Sequence, residues 1–174
     1  PMLIAMLLIW GLRYRYFIFT ALTGLIGAPL MWGFLKEYQR KRILVFLDPG
    51  RDPLGAGYTA IQSKIAVGSG GLFGKGYMAG TQSQLQFVPE HHTDFIFCVI
   101  GEEWGFAGAL LLLILYGLLF RAAFGVVEHT TDIKAKLLVA GIAVVIFSQL
   151  FINIAMTIGL MPITGITLPL VSYG

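Results

Sequence analysis

Charge, cysteine and histidine are all scarce in this chain. Of its 174 residues 12% are charged and 57% hydrophobic, where soluble domains carry roughly 25% charge. With a mean hydropathy of +0.81, that shortage excludes a disordered chain and argues against a water-soluble globule. The single cysteine, Cys98, excludes an internal disulfide and a Cys-rich zinc site. Twelve Lys/Arg against nine Asp/Glu leave +3, too small a surplus to indicate nucleic acid. An initiator Met and a cleavable leader are also lacking: Pro1 opens inside an apolar run, and Gly174 closes on Leu-Val-Ser-Tyr-Gly. The expectation is an internal piece of an integral membrane protein.

What the chain has in plenty is apolar length. A bilayer crossing takes about 20 apolar residues. Residues 16–35 meet that length without a charge, with Trp32 placed as an interface anchor, and residues 2–12 read as part of another span. Residues 137–160 form a further candidate, in which Gln149 and Asn153 lie four apart on one face, as if bonding a neighbouring helix. Residues 95–120 are apolar except for Glu102 and Glu103. Two carboxylates sunk mid-bilayer without partners would cost roughly 5–7 kcal/mol. A break at Trp104-Gly105 avoids that cost, leaving a short helix over 95–103 and a crossing helix over 106–125.

Residues 36–105 are too long for an ordinary connector. Within them Leu54, Tyr58, Ile61 and Ile65 fall within about 60° of one another on a helix, which predicts an amphipathic helix at the membrane surface. Residues 68–80 hold six glycines and read as tight turns. The segment is no phosphate loop: Ser69 stands where the first glycine belongs, and Gly76 replaces the Ser/Thr. No internal repeat or low-complexity linker divides the chain, so one integral domain is expected. Charge does not orient it. Lys36, Arg40, Lys41 and Arg42 would place the long loop in the cytoplasm by the positive-inside rule, but long loops escape that rule.

Several groups carry chemistry. Glu90-His91-His92-Thr93-Asp94 gathers ionisable residues before an apolar helix. Adjacent residues rarely converge on one ion, so a zinc site is disfavoured. Asp94 or Thr93 reads as a helix N-cap; an ionised Asp94 at a membrane-facing cleft would equally accept a proton from a hydroxyl. The basic cluster Lys36–Arg42 suits either lipid headgroups or a pyrophosphate. Pro162, Gly165 and Pro169 suggest a bent or re-entrant segment over 161–174, which membrane depth tolerates only against protein or a wet cavity and which is expected to line the same cleft as Asp94.

Taken in order, the motifs resemble a known family. They are Tyr38-Gln-Arg-x-Arg42, Phe46-Leu-Asp-Pro49, Asp52-Pro-Leu-Gly-Ala-Gly-Tyr58, Gln62-Ser-Lys-Ile-Ala66, Gly68-Ser-Gly-Gly71 and Gly74-Lys-Gly76. Gly80-Thr-Gln-Ser-Gln84, Phe87-Val-Pro-Glu90, His92-Thr-Asp-Phe-Ile-Phe97, Gly101-Glu-Glu103 and Pro169-Leu-Val-Ser-Tyr-Gly174 continue the run. They resemble the SEDS family (shape, elongation, division and sporulation), nearest its elongation (RodA) branch.

The resemblance implies an all-α polytopic bundle of about ten membrane helices, of which this piece supplies part. It further implies a glycosyltransferase that polymerises peptidoglycan from lipid II at the outer face of the bacterial cytoplasmic membrane. Residues 36–105 would then be extracytoplasmic, and a class B penicillin-binding transpeptidase would be the partner. Asp94 matches the family's essential aspartate and is the candidate base. Arg40, Arg42, Lys64 and Lys75 are candidates for holding the pyrophosphate, with Glu90 as a further substrate-binding residue. No cofactor is firmly implied, although pyrophosphate chemistry admits a divalent cation such as Mg or Mn. The isolated piece is expected to be inactive. Two rival classes remain open at this point: a lipid II flippase, and a scaffold for the transpeptidase.

Overall fold

The structure, a computed structural model, describes residues 32–53, 55–77, 79–80 and 93–172, with 18, 22–24 and 27. The expected span over 2–12 lies outside the described residues, as does most of that over 16–35. A 3-10 turn at Trp32–Phe34 leads into α1 (Glu37–Leu47), and a second at Pro49–Arg51 leads into α2 (Ala56–Ser69). Then come α3 (Ile96–Glu103), α4 (Gly105–His129) and α5 (Ile133–Thr157). Among the described residues there is no strand.

Helices α4 and α5 have 25 residues each, about 37 Å apiece at 1.5 Å per residue, enough to cross a hydrocarbon layer of about 30 Å. The three-residue connection 130–132 makes them an antiparallel hairpin. Asp132 starts α5 by accepting the Lys134 N–H at 3.0 Å, so the helix begins before the apolar run does. Across the pair Phe120 meets Phe147 edge-on at 5.7 Å, and Tyr116 and Phe151 extend the stack on either side. Contact of this kind, with buried Ala140, Gly141 and Ala143 admitting close approach, holds helices together where lipid removes the hydrophobic drive.

Helix α3 stops at Glu103 and α4 starts at Gly105, so the chain breaks where the cost of the glutamates called for it. The glycine segment makes the break. A helix end leaves carbonyls unpaired, and a helix start leaves N–H groups unpaired. Lys75 and Gly76 donate their N–H groups to the Glu102 and Glu103 carbonyls, both at 3.0 Å. Phe106 and Ala107 donate theirs to the Gly71 and Leu72 carbonyls at 2.9 and 3.0 Å. One loop thus completes both helix ends.

Helix α2 packs on the protein through its small residues and leaves its apolar stripe outward. Ser63 and Ala66 form its buried face, and Ser63 Oγ donates to the Thr157 carbonyl at 3.1 Å. Ile61 and Ile65, from the predicted apolar stripe, are 43% and 46% exposed and point outward. Small residues face protein because α2 lies close against α3 and α5, while the stripe is left for the surroundings. Leu54 lies outside the described residues.

Candidate functional site

Among the described residues, the short helices α1 to α3 and the segment after α5 gather where α4 begins and α5 ends. Asp94 sits in the turn 93–95 before α3, half-buried. Neither it nor Thr93 caps the helix: Phe95 holds the cap position, and no side chain bonds there. The N-cap reading is therefore corrected, and the Asp94 carboxylate is not spent on the backbone of α3.

The segment after α5 folds back over this turn. Gly165 takes φ +72°, a left-handed conformation that favours glycine, and a Cβ there would stand 3.1 Å from Asp94 Oδ2. The carboxylate thus rests against the bare side of Gly165. Asn153 of α5 donates through Nδ2 to the Asp94 carbonyl at 2.9 Å and to the Ile166 carbonyl at 2.7 Å. Ser172 Oγ donates to the Thr93 carbonyl, and Tyr116 of α4 donates to the Pro169 carbonyl. Between those anchors Leu170 holds φ +68°, uncommon for a residue with a side chain. Asn153 therefore bonds backbone carbonyls of a turn and a bent segment, not a neighbouring helix. Two amides on one face of a largely apolar helix were the signal for such partners, but pattern alone does not name them.

The cationic candidates separate into two groups. Arg42 of α1 donates through Nη1 to the Thr164 carbonyl at 3.3 Å, one residue from the glycine under Asp94. Lys64 of α2 lies across Gly159, where an added Cβ would fall 1.8 Å from its Cε. Arg42, Lys64, Gly159 and Pro162 line one cavity of about 20 Å³, room for about one water. These two cations and Asp94 flank the same bent segment.

The other candidates go elsewhere. Arg40 donates through Nη2 to the Gly33 carbonyl at 2.8 Å, and its Nε is buried without a partner. Lys75 Nζ meets Glu102 Oε1 at 2.8 Å, and Glu102 has no exposed side chain. Lys75 thus has a structural partner and belongs to the helix break. Glu102 pairs with a lysine of the glycine loop. Burial pushes the neighbouring Cys98 thiol up to about 12, with the Glu102 charge adding to the shift; the thiol is inert at neutral pH. Glu90 lies outside the described residues.

Two apolar helices long enough to cross a membrane, joined at one end to a polar junction around a carboxylate, fit the class of helical integral membrane proteins. The model of the FtsW, RodA and SpoVE family, described as cell cycle protein, matches residues 1–174; the chain belongs to this family, the SEDS family of the motifs. The peptidoglycan glycosyltransferase MrdB of Escherichia coli (strain K12) is 51% identical over 147 residues, 84% of this chain and 40% of the relative. The peptidoglycan glycosyltransferase RodA of Treponema pallidum (strain Nichols) is 45% identical over 172 residues, 96% of this chain and 40% of the relative. A solved structure described as the structural coordination of polymerization and crosslinking by a peptidoglycan synthase complex superposes with a TM-score of 0.77 at 34% identity. It covers 99% of this chain and 47% of its own. The chain thus spans less than half the length of these relatives.

Proposed function

We propose that the whole protein is a peptidoglycan glycosyltransferase that polymerises lipid II during cell elongation, with Asp94 as general base. The observation that carries this reading is the half-buried Asp94 carboxylate, unspent on helix capping, set against a bent segment flanked by Arg42 and Lys64. The names of the relatives supply the reaction class, and the higher identity to MrdB and RodA than to an FtsW at 42% favours the elongation branch.

In this reading Asp94 takes the proton of a GlcNAc 4-hydroxyl as that oxygen attacks MurNAc C1. The new C1–O bond forms while the bond from C1 to the pyrophosphate oxygen breaks, and its electron pair leaves on the polyprenyl pyrophosphate. Arg42 and Lys64 stabilise that leaving charge. Glu90 contributes to substrate binding, and Arg40 orders the approach to α1. Among the described residues no three His, Cys, Asp or Glu side chains gather as metal ligands. A divalent cation such as Mg²⁺ or Mn²⁺, held by the pyrophosphate, would share in stabilising the leaving charge.

The protein is a multi-pass protein of the bacterial cytoplasmic membrane, with residues 36–105 outside and 126–136 inside, and a class B penicillin-binding transpeptidase is its partner. The solved neighbour, a complex that joins polymerization to crosslinking, supports that partnership. Two experiments test the reading. Purified full-length protein with its transpeptidase is expected to convert lipid II into glycan strands; transport of lipid II without polymer overturns the reading in favour of a flippase. In a Cys98→Ser background, an impermeant thiol reagent on intact spheroplasts is expected to label a cysteine at Gln82 and spare one at Thr130. The reverse pattern moves the site to the other membrane face.

A further inference from the structure

Asn153 is fully buried on α5, one turn after Gln149 in a largely apolar helix. Its Nδ2 makes two bonds, at 2.9 Å to the Asp94 carbonyl and at 2.7 Å to the Ile166 carbonyl. Both partners are acceptors only. Turning the amide over would set its own oxygen against two others, so the observed orientation is fixed. The consequence is a buried Oδ1 with no hydrogen-bond partner among the described residues. Buried polar atoms are nearly always bonded, and a residue kept only to fill space would avoid this exception. Ile166 follows Gly165, the glycine against which Asp94 Oδ2 rests. One NH₂ group therefore holds both the turn that carries the carboxylate and the wall beside it.

We infer that Asn153 is a positioning residue for Asp94, setting the separation between the carboxylate and the bent segment from which substrate is approached. The inference rests on the assignment of Asp94 as base. Asn153 itself touches no reacting atom in this arrangement. It acts by keeping two main-chain carbonyls at one spacing, and a base displaced by about 1 Å loses about 10²-fold in rate.

The test uses the full-length protein with its transpeptidase and measures initial rates of lipid II polymerisation. Asn153→Ala is expected to lower kcat by about 10²-fold and leave KM for lipid II nearly unchanged. Residues that act as a unit are non-additive, so Asp94→Asn/Asn153→Ala is expected to be no slower than Asp94→Asn alone. A double variant slower by the product of the two single losses overturns the inference. Hydrogen exchange supplies an activity-independent readout: amides at 95–98 and 166–168 are expected to exchange faster in Asn153→Ala. Unchanged exchange at both places also overturns it. If the Ala variant fails to fold, Asn153→Gln keeps the amide one carbon farther out and is expected to show a smaller loss with the same non-additivity; additivity there again overturns the inference. The base assignment is judged by Asp94→Asn alone. Normal polymerisation by that variant removes the base and the positioning role with it, whereas a slow Asp94→Asn with an additive double variant removes only the positioning role.

Discussion

The junction at Asp94 and the break at Trp104 both tie extramembrane chain to the two spanning helices, but they do so by opposite means. At the break, backbone meets backbone. Four N–H groups and four carbonyls of the glycine loop and the two helix ends satisfy one another, and an ion pair from partly exposed Lys75 to buried Glu102 is added to the arrangement. At the junction, single side chains reach out from the spanning helices to isolated carbonyls: Asn153 to Asp94 and Ile166, Tyr116 to Pro169. The first design fixes a helix end with no functional side chain spared. The second leaves a carboxylate half-buried, with two cations along the same bent segment. Rigidity and reactivity are thus built from different bonds a few residues apart in sequence.

If that contrast holds, the largest effect on activity belongs to the junction. Asp94→Asn in the full-length protein is expected to slow glycan synthesis by about 10²–10⁴-fold while thermal stability stays near wild type. Because no cap bond depends on the carboxylate, the loss cannot come from α3 unravelling. Near-normal synthesis would break the comparison outright, making the junction as structural as the break.

The largest effect on stability belongs to the break. Lys75→Met takes away the partly exposed ammonium that fully buried Glu102 faces, and because solvent already reaches that ammonium the cost is expected to be about 2–3 kcal/mol, below that of a wholly buried pair. Lys75→Met/Glu102→Gln is expected to regain most of the lost unfolding midpoint, because the stranded charge is gone. Lys75→Met that unfolds normally yet weakens lipid II binding would return Lys75 to the substrate. Next in size is Gly74→Ala. Gly74 holds φ +78°, and an added Cβ would lie 2.1 Å from the Glu103 carbonyl oxygen. The strain is expected to cost about 1–3 kcal/mol, seen as a lower midpoint with polymerisation per folded molecule retained.

Which of these features the sequence makes legible follows from their range. The break could be placed because it answers a local cost, two adjacent glutamates in an apolar run. The spanning helices could be placed by length, although Asp132 starts α5 earlier than apolarity suggests. The division of the cations could not be read. Lys75 meets its partner 27 residues away and Arg42 its partner 122 residues away, and a basic residue carries no mark of which acceptor it will meet. On α2 the helix itself was legible from the spacing of its stripe, whose Ile61 and Ile65 face outward, but not the inner face, where close approach to α3 and α5 selects Ser63 and Ala66.

The smallest expected effect lies outside both regions, at the turn between α4 and α5. Asp132 caps α5 through a single bond to the Lys134 N–H at 3.0 Å. Asp132→Ala removes that bond and is expected to cost about 1 kcal/mol, whereas Asp132→Asn, which caps comparably well, is expected to be almost neutral. Neither should change polymerisation per folded molecule, since the cap sits at the end of the hairpin opposite Asp94. The pair therefore calibrates the other variants. It shows what a plain loss of helix stability does to the assay, so that a larger loss at Asp94 can be assigned to chemistry. If Asp132→Ala instead slows synthesis as much as a junction variant does, α5 transmits strain along its length, and the separation of a rigid region from a reactive one fails.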